Sequence, residues 1–210
     1  KYVEATGELS RLCYREEIEA AMRTKELSGI SLLGLQDFPG QGTALVGMLD
    51  SHLEPKPFDF AKPEKFRAFF KEQLVLVGLE KYTYEEGETL CADVQIANYG
   101  KTDCDGDLEW TLWAYMPNEE LDNVRKVAVK SGHMSAASCP NGTLSKAGTL
   151  KIELNNKITA PVRCDLTVKI ADAVNSYPIW IYKSELPKCP ESVYETTKLD
   201  LQAKKKLKGL

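Results

Sequence analysis

The chain lacks most of the local signals that assign a protein at once. No uninterrupted apolar stretch approaches the ~20 residues of a membrane-spanning helix, so no membrane is expected as a partner. Histidine is scarce, with two in 210 residues, and the six cysteines (Cys13, Cys91, Cys104, Cys139, Cys164 and Cys189) form no C-x-x-C pair. A zinc site is therefore not expected. No G-x-S-x-G nucleophile elbow is present, and His52 and His133 have no obvious Ser or Cys partner. Positive charge is not in excess either. Lys and Arg number 27 against 31 Asp and Glu, a net charge of −4, which argues against a general nucleic-acid binder.

What is present describes a packed protein. Hydrophobic residues make up 43% and charged residues 28%, enough to bury a core. The chain starts at Lys1 without an initiating Met, and it is expected to be a piece of a longer protein.

The first third has an α/β rhythm. Residues 14–24 place Ile18, Ala21 and Met22 at helical spacing. Ile30–Leu35 is a short apolar run with the character of a buried strand. A loop with Pro39, Gly40 and Gly42 follows, and Thr43–Leu53 reads as a second helix. Pro55, Pro57 and Pro63 then interrupt the pattern, and Pro63 opens a short helix through Phe70.

From Leu74 the period changes to two. Leu90, Ala92, Val94 and Ile96 alternate with Cys91, Asp93, Gln95 and Ala97, and Leu108, Trp110, Leu112 and Ala114 alternate with Glu109, Thr111, Trp113 and Tyr115. Further runs lie at 74–79, 124–131, 148–154, 165–171 and 177–182, giving about seven short strands with turn clusters between them. This predicts an antiparallel β-sandwich over 74–183. Trp110, in phase with two leucines, is expected in its core, and Trp113 and Tyr115 on the outer face. Beyond Tyr182, a linker with Pro187 and Pro190 leads to a strand-like Ser192–Thr196 and a helix, Leu201–Leu207, capped by Asp200.

The Gly-rich loop is the most suggestive local feature. Gly40 and Gly42 supply two positions of a dinucleotide fingerprint, but Leu45 stands where the third Gly belongs. The other reading is a loop at the C-terminal end of a strand, where α/β barrels place their active sites. Gln36, Asp37 and Gln41 there suit sugar hydroxyls. The cysteine spacing leaves disulfides open, although scattered free thiols fit a cytoplasmic chain better. Asn141-Gly-Thr143 matches a glycosylation sequon, a low-information match. The Lys204–Lys206 run suits a helix C-terminus.

The stretch Leu35-Gln-Asp-Phe-Pro-Gly-Gln-Gly-Thr-Ala-Leu-Val-Gly-Met-Leu-Asp50 resembles a segment of family 2-like glycoside hydrolases, the relatives of β-galactosidases and β-glucuronidases. Leu12–Arg23 is similar to their last barrel helix. Gln95–Gly100 and Asn175–Tyr182 are similar to the sandwich behind the barrel. The resemblance implies a mainly β chain, an immunoglobulin-like antiparallel β-sandwich preceded by an α/β remnant of a (β/α)8 barrel. Its domains would be 1–73 (barrel end), 74–183 (sandwich) and 184–210 (start of a further domain). Ile30–Leu35 would be the eighth barrel strand, with Gln36, Asp37, Phe38 and Gln41 lining a sugar subsite.

The family's two catalytic carboxylates would precede Lys1, so the resemblance implies no catalytic residue in this chain. The expected partners are a carbohydrate substrate and the remaining domains of the parent. The chemistry requires no metal or organic cofactor. Two other readings stand beside this one: a non-catalytic carbohydrate- or protein-binding sandwich module, and a nucleotide-binding protein using Gly40 and Gly42.

Overall fold

The computed structural model describes residues 1–40, 46–118, 123–155 and 158–185. Its order is α1 (Tyr2–Met22), a 3-10 turn (Asp59–Ala61), α2 (Pro63–Arg67), then β1 (Gln73–Leu79), β2 (Thr83–Glu85), β3 (Thr89–Asn98) and β4 (Cys104–Asn118). β5 (Asn123–Cys139), β6 (Thr143–Glu153), β7 (Val162–Ile170) and β8 (Ala173–Tyr182) complete it. The chain is mainly β.

The strands form two sheets, β1-β3-β6 and β2-β8-β7-β4-β5. All pairings are antiparallel except β2 with β8. The seven expected runs each fall on a strand, whereas the three-residue β2 is too short to leave a trace of its own. One core lies between the sheets. Leu90, Ala92, Val94 and Ile96 from one sheet meet Leu108, Leu112, Leu166, Val168 and Ile179 from the other. Trp110 has the expected phase but is only half-buried, packed at the margin of that core. Its indole instead lies over β5, where a Cβ on Gly132 would come within 2.7 Å of the ring.

β1 reads Leu-Val-Leu-Val without alternation because both of its faces are covered. Val75 and Val77 enter the main core, while Leu74 and Leu76 pack with Ala97, Leu144 and Met22 of α1. Helix α1 turns Arg15, Ile18 and Glu19 inward at three- and four-residue spacing. Gly7 on the same helix gives room to Phe60, whose ring atoms lie 2.2–2.5 Å from where a Cβ would stand.

The first third departs from its expected rhythm. Ile30–Leu35 is not a strand: Gly34 takes φ +81°, and Leu33 is 96% exposed. An apolar run becomes a buried parallel strand only with neighbours on both edges and both faces. Among the described residues here, only isolated bridges join Gln36 to Leu49 and Leu49 to Pro55. Within Thr43–Leu53, residues 46–53 are not helical. The Asp50 carboxylate accepts from the His52 and Glu54 backbone N–H groups at 2.8 and 3.0 Å, which turns the chain instead. α2 ends at Arg67 rather than Phe70. A small second core of Met48, Phe60 and Ala61, flanked by Tyr14, Leu35, Phe58 and Phe66, holds this region together. The strand-like 192–196, the helix 201–207 and nearly all of the expected domain 184–210 lie outside the described residues.

Candidate functional site

The loop after Leu35 is built by alternation. Gln36 and Phe38 face outward, Phe38 with 55% of its surface exposed, and Asp37 faces inward at 7%. The Phe38 ring lies against Gly40, 3.0 Å from a would-be Cβ. Asp37 Oδ1 accepts from the Gly47 backbone N–H at 2.9 Å and from Lys56 Nζ at 2.8 Å. Backbone bonds from Asp37 N–H to Leu49 C=O (2.9 Å) and from Leu49 N–H to Leu35 C=O (3.0 Å) tie the two segments together. Gln41 lies outside the described residues.

As a residue lining a sugar subsite, Asp37 is expected to present its carboxylate at the mouth of the barrel rather than in a core. The structure instead buries its carboxylate as the clasp between residues 36–38 and 47–56. Asp37→Ala should therefore loosen this region by about 2–3 kcal/mol, because it takes the acceptor from the Gly47 backbone N–H and breaks the ion pair with Lys56. Faster amide exchange at Gly47 and Leu49 is the measurement, and unchanged exchange would refute the clasp. Gly47 was not anticipated as a site-forming residue. A Cβ there would lie 2.4 Å from the Gln36 carbonyl carbon and 2.5 Å from the Asp37 nitrogen. Backbone cannot yield as a side-chain tip can, so Gly47→Ala should displace the loop as well. The only sequence signal was a Gly inside a supposed helix.

A second constellation lies on the outer face of the five-stranded sheet. Trp113 and Tyr115 of β4 are half-buried there, as their phase predicted. Strand pairing sets Trp113 opposite Asp165 of β7 and Arg163 opposite Trp180 of β8. Asp165 is buried under its donors: the Tyr115 hydroxyl donates to it at 2.5 Å, Lys126 Nζ at 3.2 Å and Arg163 Nη2 at 3.4 Å. The Arg163 guanidinium stacks 4.9 Å from the Tyr115 ring centre, and Lys126 Nζ lies 5.6 Å from that of Trp113. Burial, then the neighbouring Asp165 carboxylate, raises the Tyr115 phenol above its ordinary value, so it stays a donor. Sequence phase identified the two aromatics. The cations and Asp165 come from other strands and were not legible.

Among the described residues, no group of three or more His, Cys, Asp and Glu side chains could hold a metal ion. No described helix is long and apolar enough to cross a membrane.

A family model described as a domain of unknown function, DUF8488, matches residues 88–183, which run from the turn before β3 to the end of β8. No curated protein matches the sequence. Similar solved structures include the sporulation control protein Spo0M from Bacillus subtilis. It is 15% identical with a TM-score of 0.43, over 53% of this chain and 50% of that one. A β-glucosidase from Listeria innocua in complex with gluconolactone is 13% identical with a TM-score of 0.38, over 55% and 16%. A cycloisomaltooligosaccharide glucanotransferase from Paenibacillus is 12% identical with a TM-score of 0.38, over 52% and 14%. The alignment thus spans half or less of each of these proteins.

Proposed function

We propose that this chain is the carboxy-terminal part of a family 2-like glycoside hydrolase. Residues 1–73 are the end of its (β/α)8 barrel, and the two sheets are the immunoglobulin-like sandwich behind it. The observation that carries this reading is the uneven distribution of exposed apolar surface. Of twelve large hydrophobic side chains exposed among the described residues, nine lie in residues 1–73, among them Leu9, Leu27, Leu33, Val46 and Leu53. This concentration of exposed apolar side chains in one part of the chain fits contact with structure beyond it. The missing strands and helices of a barrel would cover it, and would also give Ile30–Leu35 the neighbours that a strand needs.

In this reading Gln36 and Phe38 touch the sugar, and the Asp37 clasp holds them in place. The parent cleaves O-glycosidic bonds with two carboxylates supplied by earlier barrel strands, with retention through a glycosyl-enzyme intermediate. The test is a panel of aryl glycosides offered to this chain and to a longer chain that includes the residues preceding Lys1. The longer chain should hydrolyse at least one of them, with a higher KM after Gln36→Ala or Phe38→Ala. Residues 1–210 alone should not. Turnover by the short chain, abolished by replacing one of its own Glu or Asp residues, would overturn the assignment.

The outer-face constellation supports a second reading, a non-catalytic carbohydrate- or protein-binding module. Half-exposed aromatic faces flanked by cations suit stacking against sugar rings. Oligosaccharide binding by the whole chain in calorimetry, lost in Trp113→Ala, would favour it over the hydrolase.

A further inference from the structure

Strand register sets Cys104, the first residue of β4, directly opposite Cys139, the last residue of β5. Both side chains turn into the core, at 1% and 0% exposure, and both are free thiols. Residues directly opposed in an antiparallel pair have Cα atoms about 4.5 or 5.5 Å apart. Both distances fall inside the window of about 4.4–6.8 Å that a disulfide requires. The backbone here is well held. The Asn98 side-chain amide, itself fully buried, donates to the Cys139 carbonyl at 2.8 Å, and the Cys139 thiol donates to the Ile96 carbonyl at 3.2 Å. No other described cysteine competes. Cys164 faces Ala114, ten residues further along β4, which is roughly 30 Å at strand rise. Cys13 and Cys91 are exposed rather than in this core.

We propose that Cys104 and Cys139 are a latent cross-strand disulfide pair, closed by exchange with a small-molecule disulfide. Oxidised glutathione serves as the oxidant. One cysteine thiolate attacks a glutathione sulfur, the glutathione S–S bond breaks, and one glutathione thiolate leaves. The second cysteine thiolate then attacks the protein sulfur of the mixed disulfide and releases the second glutathione. The protein loses two hydrogen atoms and gains one S–S bond, while one oxidised glutathione becomes two reduced ones. Burial raises the Cys104 thiol above its ordinary value, so the folded protein exchanges slowly and the bond closes as the chain folds. Once made, it staples the open end of the β4–β5 hairpin and fastens the edge strand β5 to the sheet.

The whole chain is refolded with oxidised and reduced glutathione, its free thiols are alkylated, and it is digested with trypsin without reduction. Peptides 102–125 and 131–146 each carry one cysteine, Cys104 and Cys139 respectively. The expected product is these two peptides joined, lighter than their sum by two hydrogen atoms. The oxidised chain should also melt roughly 5–10 °C above the reduced one, a difference absent in Cys104→Ala and in Cys139→Ala. Should the variants fail to fold, the wild-type peptide map alone decides. Alkylation of both thiols after oxidative refolding, or linkage of Cys139 to any other cysteine, overturns the proposal.

Discussion

Replacing Glu19 by alanine should destabilise the protein by about 3–5 kcal/mol, the range for removing one partner from a buried charged network. Glu19 has no exposed surface. One carboxylate oxygen accepts from Asn175 Nδ2 at 2.8 Å. The other accepts from the Tyr177 hydroxyl at 2.8 Å and from Arg23 Nη2 at 3.0 Å. The same Tyr177 oxygen accepts the Val77 backbone N–H at 3.0 Å, and Asn175 Nδ2 also donates to the Val75 carbonyl at 2.9 Å. One carboxylate thus joins helix α1, strand β1 and strand β8, and its loss removes the charged acceptor that Asn175, Tyr177 and Arg23 share. Glu19→Gln keeps an acceptor oxygen and should cost about 1–2 kcal/mol. The tryptophans Trp110, Trp113 and Trp180 all stand on sheet strands, so urea unfolding followed by their fluorescence measures the loss. A deficit under about 1 kcal/mol for Glu19→Ala would show that the helix is held by packing alone.

The network also has a pH signature. Burial is the largest influence on Glu19 and lifts its carboxyl above the ordinary value, against the lowering effects of Asn175, Tyr177, Arg23 and Arg15. A carboxyl with a raised folded pKa holds its proton more tightly folded than unfolded. Its contribution to stability is therefore greatest at low pH and declines as pH rises from the ordinary carboxylate value through the raised one. Glu19→Gln has no proton to lose and should show a flatter stability profile across that window. A wild-type profile no steeper than the variant's would contradict the raised value.

Leu112→Ala should be comparably severe, at about 3–4 kcal/mol. Leu112 is fully buried in β4, opposite Lys130 of β5 on one side and Leu166 of β7 on the other. With strands on both edges and the second sheet facing it, the site cannot collapse around the missing methyl groups, so a cavity remains. Thr111→Ala, one residue earlier and on the outer face, should cost under about 1 kcal/mol. Equal losses for the two would mean that the inward and outward faces of β4 have been exchanged.

That assignment of faces was readable before any coordinates, because the side-chain period of a strand is two and the core rejects polar groups. The same reasoning located seven of the eight strands. The sequence by itself therefore determined that the chain is mainly β, where its sheets lie, and that Trp113 and Tyr115 point outward. It could not reveal the limits of its own local analogies. Ile30–Leu35 has the composition of a buried strand, yet strand formation depends on partners, and residues 46–73 bond this run only through the Leu49 N–H to the Leu35 carbonyl. The role of Asp37 as a clasp is not legible locally, because its partners Gly47 and Lys56 lie ten and nineteen positions away. The Tyr177–Glu19, Tyr115–Asp165 and Cys104–Cys139 contacts unite residues 158, 50 and 35 positions apart. Such contacts follow from strand order and register. Those are set by how two sheets and one helix bury their apolar faces together, and no local pattern along the chain records the outcome.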